Sequence, residues 1–393
     1  MSREATSDSV GKPALLFGLM IASLLCTGPI AQAQVIYDDP TRLGQSFLYL
    51  HWNLKGDTTD ASISEWVLPI SGMIPFAENA ELRYYTALAG TNGTGRFDSD
   101  LSGLIDTRMH LARSFADDRL LVSLGVNLPT GRKKLDENQR KILRILSAEH
   151  FNFPVKTFGE GLGLYGEVLG ATAAGEWILG GGVGVLYSGS YEPADDGVSY
   201  RPGVRVYFTG SAEIAGGENA ANRLNLGGVF LLSAPDEADG REVFRDGAQL
   251  DLSASGTRRF GGWLGGMDLR LILRGKDERP TGEDILAVES YATSGSEFRV
   301  TLRAARELSA RLSGMLDFSG KFYAANGYPK NDLNYEGGVS LYGIGGQISG
   351  RLSDRIRAGC GLRKWLGNSE EGGQTEALDL SGWEISQSIT MTF

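Results

Sequence analysis

Three histidines, His51, His110 and His150, are the side chains of this 393-residue chain best suited to moving a proton near neutral pH. General-base or nucleophilic chemistry needs such a base held by an orienting partner. Asn53 follows His51 by two positions and Asp106 precedes His110 by four, neighbourhoods too common to single out a catalytic pair. No histidine sits in a metal-ligand spacing such as His-Glu-x-x-His, and Cys26 and Cys360 form no paired-cysteine motif. The glycine-rich stretches follow no phosphate-loop pattern. The sequence therefore predicts no catalytic residue, no metal and no cofactor.

What remains is charge, and its placement is periodic. Arg205, Arg270, Arg274, Arg299 and Arg303 occupy the polar positions of alternating stretches, as do Asp268 and Asp317. Arg355, Arg357, Arg363, Asp106, Glu213 and Asp251 share that phase. Around them Val204, Val206 and Phe208 alternate with Arg205, Tyr207 and Thr209, and Phe298, Val300 and Leu302 with Glu297, Arg299, Thr301 and Arg303. Leu120, Val122, Leu124, Val126 and Leu128 alternate with Leu121, Ser123, Gly125 and Asn127. Side chains on a strand point to opposite faces with period two, so each stretch has one apolar and one wet face. Arg270, Arg299 and Arg303 fall on consecutive strands, where they form either a basic patch or half of a neutralising ion-pair lattice.

Two architectures bury or shield such faces. A soluble sandwich hides the apolar faces in a core; a membrane barrel turns them to lipid. Repeated charge on the polar face favours a water-filled lumen. So does an alternation of tight turns (near 76–80, 116–119, 173–176, 256–261, 307–310 and 352–355) with longer links. Those lie near 91–100, 131–160, 190–202, 234–247, 275–295, 324–334 and 367–376. The expected fold is an all-β, transmembrane, antiparallel up-and-down barrel of about 16 strands, with 14 as the alternative count. A net charge of −10 argues against a nucleic-acid partner.

The N-terminus reads as an address. Arg3 and Lys12 precede the apolar run 14–27, and Ala31-Gln32-Ala33 offers small residues for cleavage after Ala33. The expected organisation is a signal peptide over 1–33, a short segment over 34–44 and a barrel over 45–393. Its longest outer loop would be 131–160. The other end of the chain carries Phe393, with Met391, Ile389, Ile385 and Trp383 on its side of the last strand and Gln387 interrupting. This ending resembles the C-terminal signature of Gram-negative outer-membrane barrels. The resemblance implies an assembly signal at Phe393, Met391 and Ile389, read by the barrel-assembly machinery.

A second likeness lies in the first third of the chain. Val67-Leu68-Pro69-Ile70, Ile74-Pro75 and Asn79-Ala80-Glu81-Leu82 lead to Asp106-Thr107-Arg108, then to strand 120–128 and Pro129-Thr130-Gly131. This run is similar to the outer-membrane family annotated with the meta-pathway of phenol degradation, a relative of the long-chain fatty-acid channels. The similarity implies passage of hydrophobic or aromatic small molecules.

Within the long loop, the segment 133–147 places Leu135, Ile142 and Leu146 on one helical face at spacings of seven and four, with Lys133 and Lys134 ahead of them and Arg140, Lys141 and Arg144 between. Such a helix either folds into the mouth, lies on the rim against headgroups, or packs on neighbouring loops. The leading expectation is a passive outer-membrane channel or transporter whose partners are lipid and a small solute. An outer-membrane enzyme acting on lipid or peptide, a structural or adhesion barrel, and a soluble exported β-protein are the alternatives.

Overall fold

The computed structural model describes residues 41–77, 79–193, 197–215, 222–281 and 285–393. The expected signal peptide lies outside the described residues. Besides short strand pairings in the long loops, the described residues from Arg42 onward form a barrel of sixteen up-and-down antiparallel strands. They are β1 Arg42–Lys55, β2 Asp60–Ala77, β3 Ala80–Thr94 and β4, which comes in two pieces, Ser99–Leu104 and Thr107–Phe115. Both pieces pair with β3, so they act as one strand broken at Ile105 and Asp106. Next come β5 Leu120–Leu128, β6 Gly163–Ala174, β7 Trp177–Ser188 and β8 Arg205–Ala215. Then follow β9 Arg223–Ser233, β10 Gln249–Phe260, β11 Trp263–Arg274 and β12 Glu297–Ser309. The last four are β13 Leu312–Tyr323, β14 Val339–Arg351, β15 Ile356–Ser369 and β16 Leu378–Thr392.

β16 pairs back onto β1 from Arg42↔Thr392 to Lys55↔Asp379, which closes the sheet and leaves no edge. Phe393 N–H adds a last bond to Thr41 O at 2.9 Å. The terminal residues are therefore the seam of the barrel.

The period-two faces resolve as the alternation requires. Leu124, Phe208, Leu302 and Leu316 point outward and are exposed, while Ser123, Glu297 and Asp317 point inward and are buried. Exposed aromatic side chains gather at both rims of the outer face. Phe76, Phe115, Phe260, Trp263 and Phe393 mark the end with the short turns, and Tyr187, Phe208, Phe298, Tyr342 and Trp383 the end with the long loops. An apolar outer band between two aromatic girdles, an even strand count and a first and last strand that begin and end at the short-turn rim are the marks of an outer-membrane-type barrel. No helix among the described residues is long and apolar enough to cross a membrane.

Two of the expected tight turns move. β10 continues to Phe260 and β12 to Ser309, because backbone pairing persists through Arg258↔Gly265 and Arg306↔Gly314. The chain reverses instead at residues 261–262, where Gly261 takes φ 57°, and at 310–311. The link expected at 91–100 is mostly strand, since β3 pairs with β2 as far as Ser62↔Thr94. The free Cys360 is exposed on the outer face of β15.

The facing can be checked by charge insertion. Leu316→Arg, mid-strand on the lipid face, is expected to cost about 2–4 kcal/mol of folding free energy. Thr301→Arg on the inner face, directly opposite Asp268, is expected to cost clearly less. Urea titration of both variants in lipid vesicles reads the difference; equal losses would contradict the distinction between a lipid face and a water face, and a larger loss at Thr301 would mean the faces are reversed.

Candidate functional site

The long loop does not lie on the rim. It leaves β5 at Leu128, enters the lumen and returns to β6 at Gly163. Its base is held where β4 breaks. The Asp106 carboxylate accepts Gly131 N–H at 2.8 Å on Oδ1, and Glu160 N–H at 2.8 Å on Oδ2. Asn127 Nδ2 donates to the same Oδ2 and to Gly161 O, both at 2.9 Å. Thr130 Oγ1 accepts Thr107 N–H at 2.8 Å and donates to Ile105 O at 3.1 Å. One carboxylate thus joins both ends of the loop. A Cβ at position 131 would stand 1.8 Å from Phe158 O, so only glycine fits there. This is the structural content of the Asp106-Thr107 and Pro129-Thr130-Gly131 words.

Beyond the base, α1 spans Glu137–Leu146. Asp136 caps it by accepting Gln139 N–H at 2.9 Å, and the Gln139 side chain accepts Asp136 N–H in return at 3.3 Å. The helix is shorter than the 133–147 segment because capping begins only at Asp136. Its apolar stripe is the expected one: Leu135 is 4% exposed, and Ile142 and Leu146 are completely buried. Phe151, Phe153, Val155 and Phe158 extend this buried surface after the helix.

The wall that receives the loop is apolar on its inner face. Trp52 on β1, Ile63 and Val67 on β2, Leu341 on β14 and Trp365 on β15 join the same cluster. Trp52 packs edge-on against Phe151 with centroids 5.3 Å apart, and stacks on Trp365 at 6.3 Å. Its Nε1–H donates to Phe151 O at 2.9 Å. Glycine opposite each indole makes room: a Cβ at Gly382 or Gly343 would come within 2.8 Å of Trp52 or Trp365. Such flat coverage of a cross-strand glycine pins the register. Val155 N–H reaches Glu65, a fully buried carboxylate on β2, at 3.4 Å.

At its far side the loop meets β12 and β13. Glu149 pairs with Lys156 and lies 3.5 Å from Arg299. His150 stacks on Phe151 at 4.1 Å and meets the Tyr323 ring at 5.8 Å. Lys321 lies 4.8 Å over the Trp365 ring, and its Nζ has no hydrogen-bond partner. The loop thus touches the wall from β12 through β16 and β1 to β4. The remaining arc, β6 to β11, carries polar inner residues such as Glu167, Tyr207, Asp251 and Arg270.

Arg205, Arg270, Arg274, Arg299 and Arg303, all expected in the lumen, each have a carboxylate partner. Arg270 Nε donates to Asp251 at 3.0 Å, Arg274 lies 3.4 Å from Glu297, and Arg303 lies 3.0 Å from Asp268. Arg299 pairs with Glu297 as well as Glu149, and Arg205 lies 3.3 Å from Asp246. Asp317 accepts from Arg363, whose other nitrogen reaches Glu384 at 3.2 Å. Of the two arrangements left open by spacing, the geometry is the neutralising lattice; Arg270, Arg299 and Arg303 form no free basic patch. His51 lies on the outer face, 3.2 Å from Asn53, whereas His110 lies on the inner face and stacks on Tyr165 at 5.3 Å. The wall separates them. Asp106, near His110 in sequence, is committed to the loop base.

The loop's hold on the wall is expected to depend on pH. Burial, with Lys321 adding to it, lowers the pKa of His150 from 6.5 to about 4, against a smaller opposing effect of Glu149. Glu149 is itself held below its usual value: burial would raise it, but Lys156, Arg299 and Arg274 outweigh burial. A released loop would let His150 take a proton below about pH 6.5, so docking weakens as pH falls from there towards 4. Glu149 acts in the same direction below its ordinary range, because protonation removes its attraction to Lys156, Arg299 and Arg274. Conductance is therefore expected to rise on acidification between about pH 6.5 and 4, and His150→Phe to flatten the first part of that rise. A flat profile in the unaltered protein would contradict this.

No protein-family model matches the chain, and no curated protein does. Solved structures are similar in architecture. Pseudomonas putida OprB aligns over 95% of this chain and 96% of its own, at 11% identity and a TM-score of 0.44. An anion-selective porin from Comamonas acidovorans aligns over 91% and 100%, at 14% identity and a TM-score of 0.41. An outer-membrane channel from Pseudomonas putida F1 aligns over 92% and 99%, at 9% identity and a TM-score of 0.39. These likenesses concern the barrel and say nothing about what passes through it.

Proposed function

We propose that the chain is an outer-membrane channel for passive uptake of small solutes, narrowed from within by its own loop 131–160. The observation that carries this reading is the complete burial of Ile142 and Leu146 against the inner wall. A segment of alternating Lys, Arg and apolar residues is thereby committed to the lumen, where it reduces the free cross-section. The solute path then runs between the loop and the β6–β11 arc. That arc's buried carboxylates and ion pairs favour polar solutes over the hydrophobic or aromatic ones implied by the resemblance to the phenol-degradation family. No covalent step and no cofactor enters this reading. Reconstitution in planar bilayers tests it: discrete conductance steps, together with uptake of neutral solutes in liposome swelling, are expected.

A second reading has its own support. The loop is clamped at its base and tied to the wall by Trp52, Glu65 and Arg299, as a permanent plug in a structural or adhesion barrel would be. Absence of conductance in a folded, reconstituted barrel would favour that reading.

Export by a cleaved signal peptide and recognition of Phe393, Met391 and Ile389 by the barrel-assembly machinery complete the proposal. All three terminal residues lie exposed on the lipid face at the seam. Deleting Phe393 is expected to lower the yield of heat-modifiable barrel in the outer membrane; an unchanged yield would remove the assembly role.

A further inference from the structure

The lipid-facing surface is indented across β11 to β16 by a groove of about 520 Å³. Its floor forms where small residues take outward positions on four neighbouring strands: Ala304 on β12, Gly314 on β13, Gly346 on β14 and Cys360 on β15. Register brings them into one trough, with Arg306 opposite Gly314, Leu316 opposite Gly346, and Ile348 opposite Cys360. A Cβ at Gly346 would meet nothing nearer than the Leu316 side chain at 3.5 Å. This glycine is open to the membrane, unlike Gly343 and Gly382, which the two indoles cover. The groove also runs from the rim inward. Arg306 stands three residues from the end of β12 at Ser309, whereas Leu362 and Ile385 stand six and seven residues from the rim ends of their strands, Ile356 and Thr392.

The rim end carries the charge. Arg306 points outward over the ring of Trp263, its partner across the β11–β12 pair, with the guanidinium carbon 5.5 Å from the centroid. It has no carboxylate partner among the described residues. A strand neighbour cannot supply one: at the short-turn rim the outward strand positions carry Arg113, Arg258 and Arg306 and no acid among the described residues. Each of these arginines lies over an aromatic ring of the girdle. Such rings sit at headgroup depth, so Arg306 is held at the level of lipid phosphates. The segments 306–311 and 351–355 beside the groove carry Arg306, Arg311, Arg351 and Arg355 against Glu307 and Asp354, a surplus of positive charge.

We infer that this groove seats one anionic phospholipid of the periplasmic leaflet, its phosphate on Arg306 and one acyl chain along the small-residue floor. Charge complementarity fixes the headgroup: a guanidinium offers phosphate two parallel donors, and the surplus of arginine favours a lipid with net negative charge. The order of the lining fixes the orientation, cation at the rim and apolar residues deeper in the bilayer. A chain lying in the trough gains dispersion contacts on its sides that a smooth wall does not offer. The inference goes beyond the channel reading and rests only on this face being in lipid.

The test reconstitutes the full chain in equimolar phosphatidylglycerol and phosphatidylethanolamine, extracts it in mild detergent, and counts retained lipids by native mass spectrometry. One phosphatidylglycerol is expected to remain in preference to phosphatidylethanolamine. Arg306→Gln should lower its retention at least about fivefold, the worth of one basic side chain at an anionic lipid surface. Gly346→Phe, whose Cβ has room, should displace both lipids by filling the trough. Arg113→Gln removes a like arginine, stacked on Phe115 at the same rim but away from the groove, and should leave retention within about twofold. No retained lipid, no preference between the two, equal effects of the two arginine variants, or full retention in Gly346→Phe would overturn the assignment. So would a second copy of the chain held in place of lipid and released by Gly346→Phe, which would make the groove an interface between copies. Conductance plays no part, so a failure here is distinct from a failure of the channel reading.

Discussion

A chain carrying Ile142→Asp and Leu146→Asp is expected to assemble as a barrel yet conduct several-fold more than the unaltered protein. Both side chains are fully buried where α1 meets the inner wall. Placing a carboxylate there costs several kcal/mol unless a cation or donor meets it. The buried cluster they join, with Leu101 on β4 and Trp52, Ile63, Val67 and Leu341 around it, offers no cation to do so. The inexpensive response is for the loop to leave its docking wall, so that the two introduced carboxylates reach water. The strands close through their own backbone ladder, from β1–β2 round to β16–β1, so barrel formation does not require the loop. Heat-modifiability should therefore persist while conductance rises. Unchanged conductance with folding intact would mean that the helix does not limit the pore.

The second large effect belongs to Asp106. Asp106→Ala removes the acceptor shared by Gly131 N–H, Glu160 N–H and Asn127 Nδ2. Each donor left unsatisfied in a buried setting costs about 1–3 kcal/mol. The clamp would open at both ends of the loop at once. Limited proteolysis should then cut between residues 131 and 160 in the variant and spare the intact protein, with hydrogen exchange accelerated over the same stretch. Asp106→Asn, which keeps one acceptor oxygen, should fall between the two. Equal resistance in all three would place the loop's stability in the Phe151–Phe158 packing alone.

Much of the fold was legible because a strand exposes its environment every second residue. Val122 and Leu124 against Ser123, or Phe298 and Val300 against Arg299, report lipid on one side and water on the other. The same rule misleads where the lumen is filled. On β1 the apolar Leu50, Trp52 and Leu54 face inward, while His51 and Asn53 face out. Alternation shows that two faces exist, but not which one lies inside. The inverted polarity of that strand is the trace of the inserted loop, together with the apolar Leu135/Ile142/Leu146 stripe that needs a partner. Reading the two together would have located the docking wall. The ion pairs were beyond reach for another reason: strand phase gives the face, whereas pairing Arg270 with Asp251 or Arg303 with Asp268 needs the register between strands. The outer groove depends on register too, since Gly314, Gly346 and Cys360 form one floor only once β13, β14 and β15 are aligned.

The most direct measurement is single-channel conductance of the intact chain beside one in which residues 133–158 are replaced by a short Gly-Ser linker. Asp106, Gly131 and Glu160 stay in place, so the loop base survives while α1 and the Phe151–Phe158 segment are gone. The lumen is then expected to conduct in larger, steadier steps and to lose the rise on acidification that His150 and Glu149 confer. Identical step size and pH profile in the two chains, both heat-modifiable, would contradict an account in which this loop sets the bore of the channel.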